Sequence, residues 1–142
     1  MDNVEKQLLG SVFKYLGYRP RSQKEILDFL HKKTSDEHQI NQVVDQLVKL
    51  KLVNDQEFSD WLVKSRSRNR GSIFIKQDLK KRGVELKNIA VNDLEIAQNL
   101  LKKKKFVDYQ KAYRYLAYRG IPSSIIAQVL KKGYNGSNVN SD

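Results

Sequence analysis

Apolar residues recur along this chain at helical spacing, and the breaks between them carry helix-capping signals. Val4, Leu8, Val12, Phe13 and Leu16 keep one phase and predict a helix over Asn3–Tyr18. Pro20 closes it, because the residue before a proline avoids helical angles. Ser22 followed by Glu25 forms a capping box for a second helix with Ile26, Leu27 and Leu30 on its inner face. Thr34 or Ser35 is the expected cap of a third, where Ile40, Val43, Val44, Leu47 and Leu50 give the cleanest periodicity in the chain. Asn54 and Asp55 offer the next cap, ahead of a fourth helix marked by Phe58, Trp61, Leu62 and Ser65; Phe58 and Trp61 are expected in the core.

The second half is less uniform. Ile73, Phe74 and Ile75 would pass for a strand on propensity alone, but Leu79 and the closing Gly83 favour a helix. Leu86, Ile89, Ala90, Leu94, Ala97 and Leu101 keep nearly one phase. Residues 86–104 therefore read either as one long helix or as a short helix before Asn92 and a seventh after it. Asp108 is the expected cap of an eighth helix, and Ile125, Ile126, Val129 and Leu130 line a ninth. In the eighth, Tyr109, Ala112, Tyr113 and Leu116 share a face suited to a core, while Lys111, Arg114, Tyr115 and Tyr118 make the opposite face cationic and aromatic. The tail GYNGSNVNSD is poor in apolar residues and is expected to be mobile.

Internal similarity organises these helices. YLGYR at Tyr15–Arg19 is echoed by YLAYR at Tyr115–Arg119. Leu30 with His31 to Lys33, Leu79 with KKRG and Leu116 with AYRG end three helices alike. Such repetition predicts an all-α protein of tandem three-helix units, about nine helices in three repeats: 1–53, 54–91 with a shortened third helix, and 92–132, followed by the tail 133–142.

Composition narrows the function. Hydrophobic types make up 39% of the 142 residues and charged types 30%, a lean core with a wide charged surface that suits an elongated stack better than a sphere. The net charge of +11 and pI near 9.8 point to polyanions or an acidic protein face as partners. The charge is uneven. Between Trp61 and Arg82 eight basic residues, among them Arg66, Arg68, Arg70, Lys80 and Arg82, face Asp78 alone. Between Lys102 and Arg119 seven face Asp108 alone, whereas Thr34–Asp60 is net acidic.

Other chemistries find no footing. There is no cysteine, and the two histidines, His31 and His38, have no third ligand type to join them. No phosphate-cradling glycine loop with a lysine and no Gly-x-Ser-x-Gly elbow occurs, so no catalytic, cofactor or metal residues are assigned and an enzyme is not expected. No signal peptide or membrane-spanning run is visible, and a monomer of the cytoplasm, away from membranes, is expected. Residues 22–53 could form the core of a winged-helix DNA reader. Asp36, Glu37 and Asp45 on its recognition helix would oppose phosphates, and no two-stranded wing follows.

Four segments in order resemble the RecX family of bacterial regulators of the RecA recombinase. These are YLGYRPRS at Tyr15–Ser22, LVNDQEFSDWLVKSR at Leu52–Arg66, LKKRGV at Leu79–Val84 and YRYLAYRGIPSSIIAQVL at Tyr113–Leu130. The similarity spans about residues 5 to 131, and departs from the family pattern at HKKT after Leu30, at Ser59, at Ser72 and in the short link Val84–Asn92. It implies an elongated, curved, right-handed helical stack that lies in the groove of a RecA filament on single-stranded DNA and limits filament growth, ATP hydrolysis and strand exchange. The residues expected to contact partner or DNA are Arg19, Arg21, Arg66, Arg68, Arg70, Lys80, Arg82, Lys111, Arg114, Tyr115, Tyr118 and Arg119. The alternative is a sequence-independent nucleic-acid-binding helical module that acts without RecA.

Overall fold

The computed structural model describes residues 1–85 and 89–131. All regular structure among them is helical: α1 Asn3–Tyr18, α2 Gln23–Lys33, α3 Glu37–Lys49, α4 Asp55–Arg66, α5 Ser72–Lys81, α6 Asp93–Lys103, α7 Tyr109–Tyr118 and α8 Ser123–Lys131. Eight helices thus stand where about nine were expected. The short helix anticipated before Asn92 falls partly on residues 86–88, outside the described residues, and its flanks at 84–85 and 89–92 are not helical. The tail from Gly133 also lies outside them. Ile73, Phe74 and Ile75 are helical, as Leu79 and Gly83 indicated.

The chain divides into two compact units, Met1–Trp61 with Leu79–Lys87, and Leu62–Asp78 with Asn88–Asp142. In the first, α1, α2 and α3 pack on one another around Leu8, Val12, Ile26, Leu30, Ile40, Val43 and Leu47. Each fully buried aliphatic side chain of this kind contributes about 1.5–3 kcal/mol. Val4, Phe13 and Leu50 keep the helical phase yet stay 44–47% exposed, because a packed helix covers little more than one stripe of its surface. In the second unit α6, α7 and α8 enclose Ile96, Ala97, Leu100, Ala112, Leu116, Ile121, Ile126 and Leu130. Tyr113 is half-buried against that core, whereas Tyr109, expected on the same face, is largely exposed.

Helix starts follow the capping chemistry, with corrections at α3 and at Asp55. Ser22 and Glu25 form the predicted reciprocal box on α2. At α3 the cap is Asp36, whose carboxylate accepts from the His38 and Gln39 amides, rather than Thr34 or Ser35; the Thr34 hydroxyl instead accepts from the Asp36 amide. The α3 end places Lys51 at φ 58°, a left-handed residue closed by the Leu52 amide on the Leu47 carbonyl. Lysine is strained there and its side chain is exposed, so Lys51→Gly should stabilise the fold by about 0.5–1 kcal/mol, read as a higher urea midpoint at unchanged slope.

Each unit also contains the same interlock, built from residues distant in sequence. Asn54 and Asn92 cap their own helices, accepting from the Glu57 and Glu95 amides. The following residues, Asp55 and Asp93, reach a different helix start: Asp55 accepts from the Gln23 amide at 2.8 Å, and Asp93 from the Ser72 amide at 2.7 Å and its hydroxyl. These carboxylates sit at the positive ends of α2 and α5. Of the two caps that the sequence offers there, Asn54 takes the role and Asp55 serves α2 instead.

Arg-Gly helix ends complete the interlock. Gly83 and Gly120 have φ of 78° and 87°, and the Val84 and Ile121 amides close back on Leu79 and Leu116. The Ser22 hydroxyl donates to the Arg82 carbonyl at 2.7 Å, and the Gly71 amide donates to the Arg119 carbonyl at 2.8 Å. Ser22 and Gly71 are therefore equivalent N-cap positions, and Glu25 in α2 corresponds to Phe74 in α5.

Candidate functional site

That correspondence decides what the arginines of each unit can do. In the first unit Glu25 is only 13% exposed and gathers two guanidinium groups: Arg19 as a two-point fork, at 3.1 and 2.7 Å, and Arg82 at 2.7 Å. Burial pushes the Glu25 carboxyl up, but the hydrogen bonds from Arg19, the Ser22 amide and Arg82 outweigh it and hold the carboxyl below its usual range. Arg19 also lies over Trp61 at 5.1 Å and Phe58 at 5.8 Å, so Trp61 is half-buried and acts as a platform for it as well as part of the packing.

Arg21 is held in a second way. Its guanidinium lies 3.7 Å from the Tyr15 ring, Tyr15 stacks on Phe29 at 4.2 Å, and the Lys33 ammonium sits 5.0 Å beyond Phe29. Its Nε also donates to the Tyr15 carbonyl. Arg19, Arg21 and Arg82, all sequence candidates for partner contact, thus have internal work in the first unit; Lys80 is exposed.

The second unit holds the remaining candidates. Arg66 pairs with Asp78 at 3.2 Å and is one-third exposed. Arg68, Arg70, Lys111, Arg114 and Tyr118 are exposed, and among the described residues none of these four cations meets a carboxylate. Tyr115 is half-buried: it contacts Phe106 at 5.0 Å and lies beneath Lys104 and Arg119, each at 5.3 Å. Its place is therefore between the unit's core and its cationic surface.

Arg70, Phe74, Tyr118 and Arg119 come together around a cleft of about 260 Å³. Arg70 lies 6.0 Å over the Phe74 ring, and Tyr118 is 80% exposed. The Arg119 Nε–H is buried without an acceptor among the described residues. Such a donor costs about 1–3 kcal/mol while it stays unmade. Where the first unit places a glutamate against its Arg-Gly arginine, the second places an aromatic ring.

The sequence pointed to the arginines and to Tyr118, but not to Glu25 as their internal counter-ion, nor to Phe74, Lys104 and Phe106 as partners. A signal was present: VNDQEF at Val53–Phe58 and VNDLEI at Val91–Ile96 are the same motif, and registering them aligns the two interlocks. Among the described residues no group of His, Cys, Asp and Glu is arranged to hold a metal ion, and no helix is long and apolar enough to cross a membrane. His31 is exposed; the Leu27 carbonyl first, then Glu37, raises its pKa.

Fold and site define an all-helical protein with repeated helix-end interlocks and an arginine-aromatic surface. Residues 9–47 match the family model for the first three-helix domain of RecX. The chain is 31% identical over 136 residues to "Regulatory protein RecX" of Oceanobacillus iheyensis, covering 83% of this chain and 50% of that protein. It is 32% identical over 130 residues to the protein of that name in Clostridium beijerinckii, covering 79% and 61%. The crystal structure of RecX from Lactobacillus salivarius superposes with a TM-score of 0.76 at 23% identity, over 90% of this chain and 95% of that one, a likeness of fold. The chain belongs to the RecX family. It spans about half to three-fifths of the length of these curated relatives.

Proposed function

We propose that this protein regulates a RecA recombinase, chiefly as an inhibitor. As a monomer of three tandem helical units in the cytoplasm, it binds the groove of the RecA filament on single-stranded DNA and limits filament growth, ATP hydrolysis and strand exchange. Membership of the RecX family supports this reading. The observation that carries it here is the set of exposed cations in the second unit, Arg68, Arg70, Lys111 and Arg114, that meet no carboxylate among the described residues. Surface charge of one sign steers association with an oppositely charged partner and fixes register on it. Regulation then follows from differential affinity, since a ligand shifts assembly only by as much as it prefers one filament state to another.

Charge reversal tests the surface. Arg66 is left intact, because its pairing with Asp78 makes it part of the fold. Arg68→Glu, Arg70→Glu and Arg114→Glu together should weaken inhibition of RecA ATP hydrolysis by about ten-fold or more, at unchanged helicity and thermal midpoint. An inhibition curve that superposes on the wild type would remove this surface from the mechanism.

A further inference from the structure

We propose that the cleft between Arg70, Phe74, Tyr118 and Arg119 is a binding site for one nucleotide of single-stranded nucleic acid, its base against the two rings and its phosphate on the two guanidinium groups. This deepens the reading above and rests on it in one respect: the nucleotide belongs to the strand that a filament would carry.

Three features converge on this ligand. The first is Arg119, which lines the cleft and meets no carboxylate among the described residues. The second is the pair of rings. Tyr118 is 80% exposed and Phe74 half-buried, and aromatic faces of this kind stack bases regardless of sequence. The third is the approach. Lys111 and Arg114 precede Tyr118 at intervals of three and four residues on α7, so exposed cations lead along one helix face towards the cleft. Repeated cations beside a ring pair fit a chain of repeated phosphates carrying planar bases better than an isolated carboxylate. At about 260 Å³ the cleft is just below the roughly 300 Å³ at which drug-sized sites begin, so it suits one nucleotide-sized group.

The first unit supplies the control. There Glu25 occupies the position of Phe74 and saturates the arginines from within. Phe74→Glu should place a carboxylate beside Arg119 as Glu25 stands beside Arg82, and so weaken the site for outside anions.

The test uses the full chain without RecA and a fluorescein-labelled short oligothymidylate, followed by anisotropy at low salt. Tyr118→Ala removes an exposed ring and should weaken binding by about ten-fold, with helicity unchanged. Phe74→Glu should weaken it at least as much; unchanged helicity and thermal midpoint identify that loss as local. Inorganic phosphate should compete weakly and polyglutamate no better than phosphate at equal charge. Wild-type affinity in the Tyr118→Ala variant would overturn the stacking site, and polyglutamate competing as well as oligothymidylate would overturn the nucleotide in favour of a carboxylate partner. The RecA reaction is scored separately. Lost oligothymidylate binding with no wild-type inhibition of RecA sinks the regulator and leaves the cleft, whereas intact inhibition with wild-type oligothymidylate binding by Tyr118→Ala sinks the cleft alone.

Discussion

Gly71→Ala should destabilise the second unit by about 2–4 kcal/mol and lower its thermal midpoint by about 8–15 °C. A methyl group at this position would stand 2.5 Å from the Gly120 carbonyl oxygen, 2.6 Å from Ile121 Cδ1 and 2.8 Å from the Gly120 carbonyl carbon. Two of those three atoms are backbone and cannot rotate away. Relief would require the α5 start and the Arg-Gly turn to separate, which costs the hydrogen bonds from the Gly71 and Ile73 amides to the Arg119 and Gly120 carbonyls. The equivalent N-cap of α2 is Ser22, which contacts its Arg-Gly turn through a hydroxyl and so tolerates a side chain. Thermal unfolding followed by circular dichroism checks the prediction; a midpoint within about 2 °C of wild type would show that the turn yields more easily than its hydrogen bonds imply.

Glu25→Ala should cost about 2–3 kcal/mol in the first unit. Breaking a buried ion pair by removing one partner typically costs about 3–5 kcal/mol; here Arg19 and Arg82 are each about one-quarter exposed, so water can take over part of the loss. Trp61 is the single tryptophan and carries Arg19 on its ring, so its fluorescence should change together with stability. The pH dependence has a defined direction. Burial works against the charged carboxylate, but its hydrogen bonds hold the folded pKa below the ordinary value. The stabilisation is therefore complete above the unfolded pKa of about 4.3 and is lost as pH falls through the lower folded value. The difference between wild type and Glu25→Ala in urea unfolding should stay level from neutral pH down to about pH 5 and shrink only below that. A difference that shrank near pH 6 to 7 would assign the lock to another group.

How far these features could be read from the sequence depends on the range of the interaction. Local ones were legible: the stripes of α2 and α3, the Ser22–Glu25 box and the glycine stops all follow from neighbours within a turn or two. Where apolar residues sat at the margin of a stripe, as Phe13, Leu50 and Tyr109 do, periodicity assigned a burial that packing did not supply. The interlocks were harder. Glu25 meets Arg82 across 57 residues, and Gln23 meets Asp55 across 32, so no window of helical length contains both partners. Asp55 read as a cap of its own helix because the local rule applies to it equally well. Composition marks the cationic segments, but it cannot tell Arg82, which is paired with Glu25, from Arg119, whose buried Nε–H has no acceptor among the described residues.

The exchange of glutamate for phenylalanine at equivalent N-terminal positions of α2 and α5 has a structural corollary. In each interlock that side chain also meets backbone, Glu25 at the Ser22 amide and Phe74 at Gly120, so an exchange there alters the joint as well as the charge around its arginine. Two copies of one helix-end design can therefore keep the same backbone closure while holding their arginines by different means, a carboxylate in one and an aromatic ring in the other.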